Sequence, residues 1–289
     1  MANLSFPITR VLWYSLLFLS AKNKVLALDV VGPLSINSPV TWQAADSPVN
    51  VQGMIDIETD GVLTIASGVT VNFEDSSSGI SNSGGTLLVL GESSNRVQLQ
   101  PKTNDFNWVG IKFETTAVAA FFDLTDSDST YSSGSVIQYA DIHKAGSTSS
   151  GALDFRSGAA PYLLGVDIIE CNGPSSNPLY VSQLQGFFVS KFLTLRKASE
   201  DSTFSQYRGI RIDGTGSDHG IVILEDLDIG PVSQEALRIR NVAQLSVRNS
   251  ILNGFVSIEY TKEVSFVGNR VSPTQSGTAV STFYNLFVQ

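Results

Sequence analysis

The stretch that most constrains the fold is residues 49–73, VNVQGMIDIETDGVLTIASGVTVNF, in which apolar and polar residues alternate in four short runs. A period of two is typical of strands that bury one face. Gly53, Asp60-Gly61 and Ser67-Gly68 interrupt the alternation, and these residue types favour tight corners. Strands this short cannot form hairpins of useful length, so the pattern favours a coil in which each strand pairs with its equivalent one turn later. The residues predicted to point inward are Val49, Val51, Ile55, Ile57, Leu63, Ile65, Val69, Val71 and Phe73.

A coil of this kind is the repeating unit of a solenoid. Val49 and Val69 are 20 residues apart, a spacing typical of about one turn of a parallel β-helix. The chain has 289 residues, of which 42% are hydrophobic and only 16% are charged, and this balance excludes a disordered chain. We therefore predict an all-β solenoid.

One strand pattern recurs along the chain and marks the successive coils. In each copy two apolar residues face inward and polar residues alternate with them. The steps between copies run from 19 residues, Ile239 to Ile258, to 42 residues, Ile111 to Leu153. Unequal steps indicate loop insertions on a regular helix, the largest being residues 115–135. The pairs predicted to stack inside are Ile111/Phe113, Leu153/Phe155, Leu179/Val181, Ile210/Ile212, Leu237/Ile239 and Val256/Ile258. A second strand pattern in the last coils aligns Leu245/Val247 with Val264/Phe266 and with Leu286/Val288.

The first 27 residues have the features of a secretory signal peptide. Arg10 precedes the apolar run Val11–Ala21, whose eleven residues are fewer than the roughly 20 that span a bilayer. Val25-Leu26-Ala27 offers small residues for cleavage, although an uncleaved anchor or a buried first strand are the alternatives. No later segment is apolar enough to cross a membrane.

Two further segments complete the predicted organisation. We expect residues 28–48 to lead into the helix and cap it, and residues 49–289 to form the helix itself. The pattern stops inside a strand at Gln289, which indicates either a truncated chain or one segment of a longer protein, unless the end is natural and frays.

The charge of the chain narrows the classes of partner. Cleavage after residue 27 would remove Arg10, Lys22 and Lys24 and leave 15 basic against 27 acidic residues, a net charge of −12. An acidic surface repels phosphate, so nucleic acid is not an expected partner. It also disfavours polyanionic glycans unless calcium mediates. Cys171, the single cysteine, is expected to be a small buried side chain, with a free thiol or an intermolecular bridge as alternatives.

A series of short motifs follows the coils in order: Ser47-Pro48-Val49, 61–65 (GVLTI), 68–71 (GVTV), 84–87 (GGTL), 108–113 (WVGIKF), 131–135 (YSSGS) and 136–142 (VIQYADI). In this order they resemble the right-handed parallel β-helix repeat proteins of the pectate-lyase-like superfamily, in particular the large secreted or surface subgroup. The resemblance covers about residues 45–270. It implies a right-handed single-stranded parallel β-helix with about 20–30 residues per coil and loop insertions. It implies no single activity, because one fold hosts many.

The outward positions of the recurring strand form a column of charged and polar residues. Parallel pairing places neighbours about 4.8 Å apart, and opposite charges at that spacing contribute roughly 0.2–1 kcal/mol each. The column is therefore either a solvated ladder or a ligand-binding face. The ligand-binding candidates on it are Lys112, Asp154, Arg156, Tyr180, Asp213 and Glu259.

The resemblance also implies an enzymatic alternative on the same face. Related lyases bind acidic sugars with calcium on a carboxylate cluster and use an arginine or lysine as base. Arg211, Arg238 and Arg240 are the candidates for the base and the sugar clamp, and Asp213, Asp226 and Asp228 are the candidates for the ion. Related hydrolases use grouped aspartates, but the chain has no adjacent Asp-Asp pair.

Two other patterns bear on metals. Asp126, Asp128 and Thr130 alternate in a loop and could supply oxygen ligands to calcium, but the full EF-hand pattern is absent and a solvated loop is the alternative. His143 and His219, the only histidines, are 76 residues apart, about three coils, so a shared zinc site is not expected.

Together these features predict a secreted or cell-surface module with a structural or recognition role, binding a glycan or an extracellular protein. A polysaccharide lyase or hydrolase acting on an acidic glycan is the alternative, and the sequence favours a protein without catalysis. Calcium is the one cofactor that the sequence suggests.

Overall fold

The computed structural model describes residues 27–123, 130–146, 150–156, 158–171, 177–196, 208–232, 234–272 and, for the backbone only, 280–283. Nearly all of its regular structure is β-strand, and one short 3-10 turn covers Ala44–Asp46.

The chain winds as a right-handed parallel β-helix, as the sequence predicts. Each coil contributes one strand to sheet A, one to sheet B and one to sheet C, in that order along the chain. Sheets A and B contain ten strands each and sheet C contains nine, and all their pairings are parallel.

The first five coils contain strands β1 to β17, in which β12 and β13 belong to an insertion. The strands are Leu28–Val31 (β1), Leu34–Ile36 (β2), Pro39–Trp42 (β3), Val49–Gln52 (β4), Met54–Ile57 (β5), Val62–Ala66 (β6), Thr70–Phe73 (β7), Gly79–Asn82 (β8), Thr86–Leu90 (β9), Val97–Pro101 (β10), Ile111–Phe113 (β11), Phe121–Asp123 (β12), Thr130–Ser133 (β13), Val136–Gln138 (β14), Ala140–His143 (β15), Leu153–Phe155 (β16) and Tyr162–Leu164 (β17).

The remaining coils contain strands β18 to β31 in the same order of sheets. The strands are Asp167–Ile169 (β18), Leu179–Leu184 (β19), Phe187–Lys191 (β20), Thr194–Arg196 (β21), Ile210–Gly214 (β22), Ile221–Glu225 (β23), Asp228–Ile229 (β24), Glu235–Arg240 (β25), Gln244–Arg248 (β26), Ile251–Leu252 (β27), Phe255–Glu259 (β28), Glu263–Val267 (β29), Arg270–Val271 (β30) and Val280–Phe283 (β31).

The predicted stacking on sheet B is confirmed residue by residue. Ile111 lies beside Leu153, 42 residues later, and Ile239 lies beside Ile258, 19 residues later. The pairs at the other coils are in the predicted register, and their apolar side chains are buried. On sheet C, Leu245 and Val247 pair with Val264 and Phe266, also as predicted, whereas Leu286 and Val288 lie outside the described residues.

The early coils fall within the predicted 20–30 residues per coil and are two residues longer than the spacing from Val49 to Val69. Val49 pairs with Val71, 22 residues later, rather than with Val69. A shift of two residues leaves every side chain on the same face of the strand, because the side-chain period is two. The inward set is therefore unaffected, and all nine predicted side chains are buried.

The corners use left-handed backbone where the sequence predicts tight turns. Gly53 has φ +92°, Gly68 has φ +75° and Asp60 has φ +68°. Such a conformation is easy for glycine and accessible to aspartate.

The first coil begins before the segment predicted to be the helix. Residues 28–48, expected to lead in and cap, contain β1, β2 and β3, which pair with β4, β5 and β6. Residues 28–48 thus form the first coil of the β-helix and also cover the end of its apolar core. The predicted signal peptide, apart from Ala27, lies outside the described residues.

Candidate functional site

The predicted column lies on the outward side of sheet B, a surface that we call the sheet B face. It follows one line of register through Lys112, Asp154, Tyr180, Arg211 and Arg238 on successive coils. The parallel line two residues along each strand passes from Asp213 to Arg240 and Glu259. The structure therefore brings the predicted ligand-binding residues and the three arginines onto one surface.

Asp213 is the centre of the hydrogen bonding on this face. Arg211 donates to its Oδ2 through Nε and a terminal nitrogen, both at 2.8 Å, and Arg240 Nε donates to its Oδ1 at 2.8 Å. The Tyr180 hydroxyl donates to Oδ2 at 3.3 Å. The Arg211 guanidinium also lies 5.3 Å from the centre of the Tyr180 ring, within cation–π range.

These contacts set the protonation states of the cluster. Burial alone would raise the pKa of Asp213, but the hydrogen bonds from Arg240 and Arg211 outweigh burial and lower this pKa below its ordinary value. The hydrogen bond to Asp213 raises the pKa of Arg240. Burial, helped by the Asp213 charge, raises the pKa of Tyr180. The aspartate is thus ionised and the Arg240 guanidinium is charged at neutral pH.

A second group of ion pairs continues the ladder on the next coils. Arg238 contacts Glu235 at 3.3 Å and Glu259 at 3.4 Å, and the Ser257 hydroxyl lies 3.0 Å from Glu259. Arg208 approaches Glu235 at 3.6 Å. Arg208 and Glu235 were not among the predicted residues. They flank the recurring strand rather than occupy its alternating positions, so only their charges could have signalled them.

Asp154 is the most buried charged residue of the face. Its side chain is only 3% exposed, and its Oδ2 accepts a hydrogen bond from Arg156 at 2.9 Å. The hydrogen bond and charge of Asp154 raise the pKa of Arg156. Within the described part of the chain, the Oδ1 atom of Asp154 has no hydrogen-bond partner.

The same line of register contains two more buried polar atoms without a partner among the described residues. They are Oδ1 of Asp56 and Nε of Arg238. Asp56 pairs with Ser81, which pairs with Lys112, so these three residues belong to one column. We call the three buried atoms of this column that have no partner among the described residues the orphaned atoms. An unpaired buried polar atom costs about 1–3 kcal/mol. This column therefore has more unused hydrogen-bonding capacity than its ion pairs suggest.

The two other predicted calcium ligands lie away from Asp213. Asp226 occupies a left-handed corner, with φ +53°, between β23 of sheet C and β24 of sheet A. Asp228 is on sheet A and faces Arg196 at 3.6 Å. The three aspartates are therefore not gathered in one cleft.

The predicted calcium loop is covered only in part. Asp126 and Asp128 lie outside the described residues, and Thr130 begins β13, where it is exposed. In the described ranges, no three or more His, Cys, Asp or Glu side chains are arranged to hold a metal ion.

The histidines and the cysteine occupy separate positions. His143 is on sheet A, and His219 is exposed at a corner between sheets B and C. Cys171 is buried, as predicted, and burial raises the pKa of its thiol to about 12. The Ala145 amide donates to its sulfur at 3.4 Å.

An aromatic cluster on sheet C is a feature that the sequence analysis missed. The insertion between β11 and β14 forms the antiparallel hairpin β12–β13. Phe122 of the hairpin contacts Tyr162 and Phe187 of sheet C, with ring centres 5.6 and 6.2 Å apart, and Tyr131 stacks on Tyr162 at 5.7 Å. The aromatic residues in the insertion were the signal that could have revealed it.

The described residues contain no helix with the length and apolarity needed to cross a membrane. Comparison with known proteins found no matching family model, no matching curated protein and no matching solved structure.

Proposed function

We propose that this chain is a secreted or cell-surface recognition module of the pectate-lyase-like type, which binds a glycan or an extracellular protein through the sheet B face. Its role is structural and adhesive rather than catalytic. The secretory features of residues 1–27 support the extracellular location.

The observation that carries the proposal is the column of orphaned atoms. Among the described residues, Asp56 and Asp154 each have a buried acceptor oxygen without a donor, and Arg238 has a buried donor without an acceptor. These atoms are buried, so a ligand reaches them only when neighbouring side chains move aside. A ligand that then supplies both donors and acceptors along the helix axis removes these penalties on binding. Hydroxyl groups do both, so a glycan is the class that complements the column best.

The ladder of ion pairs also prepares the face for binding. Asp213 fixes Arg211 and Arg240, and Glu235 and Glu259 fix Arg238. Side chains that are already held in place lose less conformational entropy when a ligand binds.

The lyase alternative receives less support from the same geometry. A base must release its proton near the working pH. Arg211 and Arg240 both donate to one carboxylate, and the pKa of Arg240 is raised, which is the opposite of what a base requires. Asp226 and Asp228 also lie outside the sheet B face.

The test compares two double variants with the same charge changes. Asp154→Asn/Arg238→Gln alters the sheet B face, and Asp228→Asn/Arg270→Gln alters sheet A. The probes are an array of acidic and neutral oligosaccharides and a panel of purified extracellular proteins, both with calcium present. We expect the unaltered chain and the sheet A variant to bind one probe, and the sheet B variant to bind it at least about tenfold more weakly.

Two results contradict the proposal. A blank array and a blank protein panel remove the recognition role. Release of unsaturated uronate from pectate, alginate or a glycosaminoglycan, read by absorbance at several pH values and calcium concentrations, favours the lyase instead.

A further inference from the structure

A second surface with different chemistry lies on the outward side of sheet C. It is a cleft of about 460 Å³ between β23 and β29, which we call the sheet C trough. Its lining includes Ile221, Ile223, Gln244, Ser246, Glu263 and Ser265.

The trough lies where the outward side chains change from isoleucine to serine along one line of register. Val189 pairs with Ile223, Ile223 with Ser246, and Ser246 with Ser265. On the preceding coil, Tyr162 is covered by the aromatic hairpin. The outer surface is therefore filled at the hairpin and steps down to two serine side chains.

The sides of the trough carry planar polar groups. On one side Gln244 Nε2 donates to Glu263 Oε2 at 3.0 Å. On the other side Arg248 is exposed and its Nε donates to Ser246 Oγ at 3.1 Å. The charges of one carboxylate and one guanidinium cancel, so the trough favours a ligand without net charge.

The trough is continuous with a smaller depression of about 230 Å³ at the corner between sheets B and C. The two share Ile221 and Gln244, and the depression adds Phe187, Asp218 and His219. It thereby places an aromatic ring beside a carboxylate and an imidazole. Cavities with an apolar floor and a few polar groups at the rim are typical of small-molecule sites.

We infer that the sheet C trough binds a neutral oligosaccharide. A pyranose ring has apolar faces that suit Ile221 and Ile223 in the trough and Phe187 in the adjoining depression. Its hydroxyl edges suit Gln244, Glu263 and Arg248. A peptide strand lying across the floor of the trough is a poorer fit, because the backbone groups of β23 and β26 are already paired with a strand on each side. A helix needs a continuous apolar strip, and Ser246 and Ser265 interrupt it. This site goes beyond the proposed function, since it lies on another sheet.

The test places one tryptophan on each outer face. Ser246→Trp fills the sheet C trough, Ser257→Trp blocks the sheet B face and Thr194→Trp alters sheet A. All three positions point outward on strands, where tryptophan is well tolerated, and circular dichroism confirms folding. The probe is an array of neutral oligosaccharides of glucose, galactose, mannose and N-acetylglucosamine.

We expect binding of at least one neutral oligosaccharide, weakened about tenfold or more by Ser246→Trp alone. Loss with Ser257→Trp alone overturns this inference and leaves the proposed function standing. Loss in more than one variant, full binding by the Ser246→Trp variant, or no binding by the unaltered chain also overturns it.

Discussion

Asp213 and Arg240, which are 27 residues apart in sequence, lie opposite each other on adjacent coils, and Arg240 Nε donates to Asp213 Oδ1 at 2.8 Å. The contact exists only because 27 residues are one full coil at this point of the helix. Charged residues that are distant in sequence thus become one surface through the strand register. Changes at Asp213 therefore test both the fold and the site.

Asp213→Asn should destabilise the chain by about 1–3 kcal/mol, because the charged partner of Arg211 and Arg240 is lost. Urea unfolding followed by circular dichroism measures the loss. Asp218→Asn is the matched control, since the Asp218 side chain is 75% exposed and pairs only with Lys262 among the described ion pairs. We expect the control to change stability by less than about 0.5 kcal/mol. Equal losses in both variants would show that the ladder adds no stability.

The stabilisation by Asp213 should depend on pH in a defined direction. Its pKa in the folded chain is lowered from the ordinary value of 3.8. A group with a lowered pKa contributes its full stabilisation above the unfolded pKa, and loses it as the pH falls through the folded value. The stability difference between the unaltered chain and Asp213→Asn should stay constant from about pH 7 to 5 and shrink below about pH 4. A difference that grows in acid would refute this assignment.

Trp108→Ala should be among the most damaging changes in the apolar core of the helix. Its ring is fully buried, stacks on Phe73 with centres 3.8 Å apart, and donates to the His143 carbonyl at 2.7 Å. We expect a loss of about 3–5 kcal/mol. Trp108→Phe keeps a stacked ring and should lose about 1–3 kcal/mol, mainly from the unpaired carbonyl. Urea unfolding of both variants is the measurement, and equal losses would contradict the assigned roles of ring and hydrogen bond.

Cys171 should be unreactive in the folded chain. Burial raises its pKa to about 12, so almost no thiolate is present at pH 8, and the sulfur is covered. Iodoacetamide at pH 8 should label the chain in urea within minutes and leave the native chain unmodified over the same time. Mass spectrometry gives a direct reading, because there is one cysteine. Rapid labelling of the native chain would mean that this coil opens or that the thiol is exposed.

The alternation of residues was enough to predict the coils and their approximate length, but not the exact number of residues in each coil. The 20-residue spacing of Val49 and Val69 approximates one coil, and Val71, which is the actual partner of Val49, also points inward. Only corner geometry separates the two, and a shift of two residues has no effect on which side chains are buried.

The strand pattern also determined which site residues could be placed on one face from the sequence. Lys112, Asp154, Tyr180 and Arg211 share one strand pattern, so their common column was predictable. Asp226 and Asp228 are near Asp213 in sequence, yet they follow a whole strand of sheet C and so reach another side of the helix. The orphaned atom of Asp154 depends on side-chain packing, which no sequence pattern encodes.

The most direct test of the account is whether the sheet B face is one column in register. In a Cys171→Ala background, Arg211→Cys/Arg238→Cys places two thiols on adjacent coils, about 4.8 Å apart at the backbone and within disulfide range. Tyr180→Cys/Arg238→Cys places them two coils apart, about 9.6 Å, and beyond that range. Under mild oxidation we predict a disulfide in the first variant and none in the second. A disulfide in the second variant without one in the first would contradict the column, and with it the face.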